Sequence, residues 1–286
     1  MTWNMQEKQQ ESSIGLGLKC IDFFAGIGAW ELASAIVNRI SNYPVFRTIE
    51  FIEINPQAQK VLRSHFSHIP IHPDIKTYKP IPNVADVQLH SFPCTGTSAA
   101  GTKTGLSHQE SGLWFESLRC ISIGQPKFVI IEQPMGVVAN GLRTMLDGLR
   151  MEKYQFEVEI ISASELGAPH QRQRVFIIAH ADHLSIRQRQ NFTEWTKHIR
   201  EDIERARQIG SIAKTESSRL CLDDAVQPWL DGISFDDNWG KPPTRAGLEP
   251  RTPGRRECVS LYGKSIVPLQ AAVALMRVQF LASLLD

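Results

Sequence analysis

Residues 19–28 read Lys19-Cys20-Ile21-Asp22-Phe23-Phe24-Ala25-Gly26-Ile27-Gly28, an apolar strand that runs without a break into a glycine turn. Glycines let the backbone turn tightly without a Cβ clash, and a strand–turn–helix layout brings that backbone close to a nucleotide at the carboxyl edge of a sheet. The third glycine of the dinucleotide fingerprint is missing. Residues 30–40 then place Leu32, Ile36 and Ile40 on one helical face. Working outward, strands are predicted at 46–52, 85–92, 128–131, 157–162 and 175–179, with helices at 56–66 and 113–123. This alternation predicts a doubly wound α/β domain with a mostly parallel sheet covered on both faces.

The pattern changes after His180. Residues 181–256 turn polar and charged, with a helical stretch at 195–208 and a Pro/Gly-rich run at 240–254, before apolar helical character returns at 265–285. The expected division is a loose tail at 1–16, a catalytic unit of 17–180 with 259–286, and a small inserted recognition region at 181–258. Hydrophobic residues are 42% and charged residues 21% of the 286, as in an ordinary globular chain. No apolar run is long enough for a bilayer, and residues 1–13 lack the apolar core of a signal peptide, so a cytoplasmic monomer is expected. The five cysteines form no CxxC pair, which argues against a zinc site or a disulfide framework and leaves a catalytic thiol open. The net charge of +1 gives no global attraction to a polyanion, so any such contact depends on local basic segments.

Three features carry chemistry. Glu53 ends the second strand, where an acid can accept hydrogen bonds from a ribose diol or simply be solvated. Cys94 follows Ser91-Phe92-Pro93 at the end of another predicted strand and opens a Gly/Ser/Thr-rich loop over 95–112. A buried structural thiol is the common fate of a lone cysteine, but this one falls on the sheet edge where sites form. Glu132 ends the apolar run Val129-Ile130-Ile131 and is delivered to that same edge.

In order, DxFxGxG, Pro93-Cys94, the small-residue loop, the run from Gly112 to Arg119 (GLWFESLR) and a strand-ending Glu132 resemble the cytosine-5 DNA methyltransferases, particularly the compact bacterial and phage enzymes. Gln171-Arg172-Gln173-Arg174 resembles that family's arginine pair, and Gly263-Lys264-Ser265-Ile266-Val267-Pro268 its last motif. The resemblance implies a Rossmann-like S-adenosylmethionine-dependent methyltransferase fold, with S-adenosyl-L-methionine as cofactor and double-stranded DNA as substrate. It implies that Cys94 attacks C6 of a flipped cytosine, that Glu132 serves N3, and that Arg172 and Arg174 orient base and glutamate. Thiolate addition breaks the ring's aromaticity, and a proton at N3 stabilises the charge that develops. Burial should favour protonated Glu132. The cofactor site implied is Asp22, Phe24, Gly26, Gly28, Glu53, Ile54, Asp74, Ile75, Pro93, Lys264 and Ser265, with Asp74 at the adenine amine.

The chain departs from the family at Ser91, Thr95, Gln133-Pro134, His170 and, most sharply, Lys264, where the family usually has Asn. A lysine beside a sulfonium is repulsive unless an anion intervenes. The cofactor's own amino-acid carboxylate is one such anion, and a carboxylate on the transferred group, as in carboxy-S-adenosyl-L-methionine, would be another. A Lys264 that faces solvent or a phosphate is the alternative. For DNA, Lys241, Arg245, Arg251, Arg255 and Arg256 are opposed only by Glu249, and Ser98, Lys103 and His108 lie on the 95–112 loop, whose small residues suit it to close over the site. Arg187, Arg189, Arg200, Arg205 and Arg207 are interspersed with acids, which fits a solvated helix. An RNA cytosine methyltransferase and a non-catalytic DNA-binding relative are the competing readings.

Overall fold

The computed structural model describes residues 17–93, 112–168, 170–215 and 265–285. Seven strands form one sheet: β1 (Leu18–Phe23), β2 (Phe46–Ile52), β3 (Ile71–His72), β4 (Val87–His90), β5 (Phe128–Pro134), β6 (Tyr154–Ile161) and β7 (Arg174–Ala181), in the order β3-β2-β1-β4-β5-β7-β6. The helices are α1 (Ala29–Ser41), α2 (Pro56–His65), α3 (Leu113–Gly124), α4 (Val137–Asn140), α5 (Leu142–Met151), α6 (Trp195–Thr215) and α7 (Pro268–Ser283). The expected α/β class and mostly parallel sheet are present. The two-residue β3, the four-residue α4 and the helix α5 were not anticipated. β3 and α4 are too short to show apolar periodicity, whereas α5 repeats Leu142, Met145 and Leu149 at helical spacing and was legible but overlooked.

The departure that matters is β7, which runs antiparallel to both β5 and β6. Strands β1 to β5 pair in parallel, so their carboxyl ends share one edge. A strand running the other way brings its amino end there. Arg174 therefore lies opposite Pro134, beside the end of β5.

Alternate residues of β5 serve two cores. Phe128 and Ile130 join a cluster with Phe176, Ile178, Trp30 and the apolar residues of α7, while Val129 and Ile131 pack with Trp114, Met145 and Leu149. The C-terminal helix thus returns onto the sheet: most of α7 is buried, and it packs against both α1 and α6. Trp195, Ile199 and Ala206 from α6 share that core.

One buried ion pair locks these parts together. Arg277 of α7 donates from Nε and Nη2 to the two carboxylate oxygens of Glu157 on β6, each at 2.8 Å, and from Nη2 to the Thr193 carbonyl at 2.6 Å. Glu157 also accepts from the Trp195 backbone N–H at 2.9 Å. The exposed face of α6 carries pairs three residues apart, Arg205 with Asp202 and Arg207 with Glu204. These pairs fit the solvated helix that the interspersed acids suggested, whereas Arg187 and Arg189 precede α6 and Arg187 donates to the Phe156 carbonyl of β6 at 3.1 Å. Among the described residues, no helix is long and apolar enough to cross a membrane.

Candidate active site

The strand order reverses between β1 and β4, and a crevice at such a switch point lies outside the carboxyl ends of the strands. Phe24 leaves β1 with φ of 63°, and the N–H groups of Phe24 and Ala25 both donate to the Ile52 carbonyl. Gly28 has φ of +89°, and a Cβ there would stand 2.5 Å from the Phe66 ring. Gly26 donates its N–H to Glu53 Oε2 at 2.7 Å, while Glu53 Oε1 accepts from Asn55 N–H at 2.7 Å. Glu53 is therefore no solvated strand end. It is buried and braces the glycine turn with both carboxylate oxygens.

Beyond β3, Asp74 Oδ1 caps its own turn by accepting from Lys76 N–H, and Ile75 is buried. Ile54 is exposed on the rim. Sequence reasoning missed two residues here. Leu113, at the start of α3, packs with Ile75, Ile52 and Phe24, and Arg119 binds the turn from the same helix. Arg119 donates to the carbonyls of Tyr78 at 3.0 Å and Ile75 at 2.7 Å, and to Glu116 Oε2 at 2.8 Å. Both fall in the GLWFESLR motif, so their position was visible although their task was not.

Asp22 lies beneath the turn rather than in it. Its side chain is fully buried, and neither carboxylate oxygen has a hydrogen-bond partner. Burial, reinforced by the nearby Glu53 and Glu31 charges, raises its pKa well above the usual carboxylate value.

At the end of β5, Glu132 is buried and Arg174 Nε contacts its Oε1 at 2.8 Å. The pairing is diagonal, because Glu132 registers with Phe176 and Arg174 stands two residues earlier on the same face. Burial raises the Glu132 pKa, and the Arg174 and Arg172 guanidiniums oppose that rise. The sheet thus brings together three of the four residues expected to act on the base. Arg172 Nη2 also donates to the Ser265 carbonyl at 2.5 Å, joining the base side to the last motif. Burial and the Arg172 charge hold the pKa of His170 below the usual imidazole value.

Pro93 is exposed at the start of the next loop. The backbone leading to it is tied twice: Gln133 Nε2 donates to the Phe92 carbonyl at 3.2 Å, and Trp30 Nε1 donates to Ser91 Oγ at 2.9 Å. Cys94, Ser98, Lys103, His108, Lys241, Arg245, Arg251, Arg255, Arg256 and Lys264 lie outside the described residues.

The sequence profile of the C-5 cytosine-specific DNA methylases matches residues 18–238. The chain belongs to that family. It is 33% identical over 135 residues to the type II methyltransferase M.CviJI of Paramecium bursaria Chlorella virus IL3A, covering 46% of this chain and 36% of the relative. It is 30% identical over 191 residues to the type II methyltransferase M.BsuFI of Bacillus subtilis, covering 65% of this chain and 44% of the relative. The chain therefore spans less than half the length of either relative. Among solved structures, a DNMT2 mutant of Spodoptera frugiperda superposes with a TM-score of 0.57 at 12% identity, over 92% of this chain and 100% of that one. That likeness concerns the fold, and the sheet of this C-5 cytosine methylase relative agrees with it.

Proposed function

We propose that the protein transfers a methyl group to C5 of cytosine in double-stranded DNA, with S-adenosyl-L-methionine as donor. The observation that carries this reading is the buried Glu132, held by Arg174 on the same sheet edge as the Glu53-braced glycine turn. The residues fit such a donor: Glu53 sets a carboxylate, the group that accepts from a ribose diol, against the glycine turn, Asp74 and buried Ile75 stand on the neighbouring turn, and exposed Ile54 flanks them. When bound, that donor supplies an electrophilic methyl on a sulfonium.

The chain's own groups do the rest. The target base leaves the stack at a cost of a few kcal/mol. Cys94 thiolate forms a bond to C6, and Glu132, whose pKa burial raises against the pull of Arg174 and Arg172, gives a proton or strong hydrogen bond to N3. Arg172 and Arg174 hold the glutamate and base in register. After C5 has taken the methyl, its proton passes to water, the C6–sulfur bond breaks to return the thiolate, and N3 gives its proton back to Glu132. Phosphate contacts fall to the basic residues between Lys241 and Arg256.

Lys264 favours a second reading, carboxymethyl transfer from carboxy-S-adenosyl-L-methionine, because a cation there would match that group's carboxylate. The test is expression in bacteria that make both donors, digestion of host DNA, and mass spectrometry of its cytosines. Methylcytosine that vanishes with Cys94→Ala supports the first reading. Carboxymethylcytosine supports the second, which fails if Lys264→Asn leaves the product ratio unchanged. Modified tRNA without modified DNA would overturn both, and no product with either nucleic acid would indicate a binding protein.

A further inference from the structure

Gln270 sits in the first turn of α7 and is fully buried, yet no catalytic role is attached to it. Its Nε2 donates to two carbonyls from separate parts of the chain: Ile161 at 2.8 Å and Arg172 at 2.9 Å. The second of these is unusual ground. Arg172 has φ of 33°, in the left-handed region that a non-glycine residue occupies only when its surroundings enforce it. Next to it, the Gln171 carbonyl accepts from Ser162 Oγ at 2.7 Å and from Ala163 N–H at 2.8 Å. The guanidinium of Arg172 meanwhile reaches the Ser265 carbonyl, three residues before α7 begins. Backbone and side chain of Arg172 are thus both fastened to the C-terminal segment.

We propose that Gln270 is a positioning residue: it holds Arg172 in its left-handed conformation and so aims the guanidinium that serves Glu132. The inference rests on the proposed roles of Glu132 and Arg172. The sequence gap between residues 172 and 270 is wide, and the link exists because α7 returns across the sheet to the amino end of β7. A leucine at 270 would fill similar space while offering no donor. Without the donor, the Arg172 carbonyl is released, and the strained backbone relaxes with a displacement of its long side chain. Loss of aim by even an ångström lowers the rate of a positioned reaction steeply.

The test uses the full chain with two independent readouts. Single-turnover methyl transfer to unmethylated genomic DNA is measured for wild type, Gln270→Leu, Arg172→Ala and the double variant. We expect Gln270→Leu to slow transfer roughly tenfold or more at saturating donor and DNA. The double variant should be no slower than Arg172→Ala, since nothing remains to be aimed. Multiplicative losses, or a wild-type rate in Gln270→Leu, overturn the proposal. Hydrogen exchange by mass spectrometry should quicken in Gln270→Leu for the peptide spanning 170–174, and not in β1 or β2. Unchanged exchange there, or a uniform rise across the sheet, also overturns it. Because exchange needs no substrate, a wild type inactive on DNA would refute the proposed function while leaving this readout decisive.

Discussion

Arg277→Met isolates the energetics of the joint between α7, β6 and the segment leading into α6. Both partners are buried: Arg277 is 1% exposed and the side chain of Glu157 9%. The substitution keeps most of the stem volume but removes two charge-assisted hydrogen bonds to Glu157 and the donor to the Thr193 carbonyl. Glu157 retains only the Trp195 N–H among the partners described above, so a buried carboxylate is left without its cation. Breaking a buried pair on one side costs about 3–5 kcal/mol. For a chain of this size that lowers the Tm by on the order of 10 °C. Replacing both charges, as in Arg277→Met with Glu157→Gln, removes the uncompensated charge, so the double variant should be more stable than the single one. Urea denaturation followed by tryptophan fluorescence gives the midpoints, and Trp195 sits at the joint itself. A loss below about 1 kcal/mol for Arg277→Met, or a double variant less stable than the single, would refute the reasoning.

Two further outcomes concern the glycine turn. Asp22 has a raised folded pKa, so folding retains a proton that the unfolded chain releases above about pH 4. Its contribution is complete below that value and is lost as pH rises through the folded pKa. Asp22→Asn removes this titration, so its urea midpoint should fall less than wild type between about pH 5 and about pH 8; parallel slopes would contradict it. Gly28→Ala forces a Cβ into the Phe66 ring at a φ of +89°, and should cost about 1–3 kcal/mol or more. A thermal midpoint equal to wild type would show that α1 and Phe66 can move apart freely.

The amino-acid sequence by itself determined the alternation of strands and helices, the glycine turn after β1, and Glu53 and Glu132 at strand ends. These are local properties: an apolar run followed by Gly26 and Gly28, or by a carboxylate, carries its meaning within ten residues. The return of the apolar C-terminal helix was legible for the same reason, since such a face must find a core. Strand direction was not legible, because the apolar run of β7 reads alike in either sense. Only the tertiary structure reversed β7, and that reversal sets Arg174 against Glu132. The roles of Trp30, Arg119, Gln133, Gln270 and Arg277 were equally hidden, for each acts by a hydrogen bond to a residue distant in the chain. Their partners are mostly backbone carbonyls, which every residue carries, so the sequence marks no complement to search for. The chain's pattern specifies which groups arrive at the sheet edge, and packing of the last helix and the reversed strand decides how they face one another.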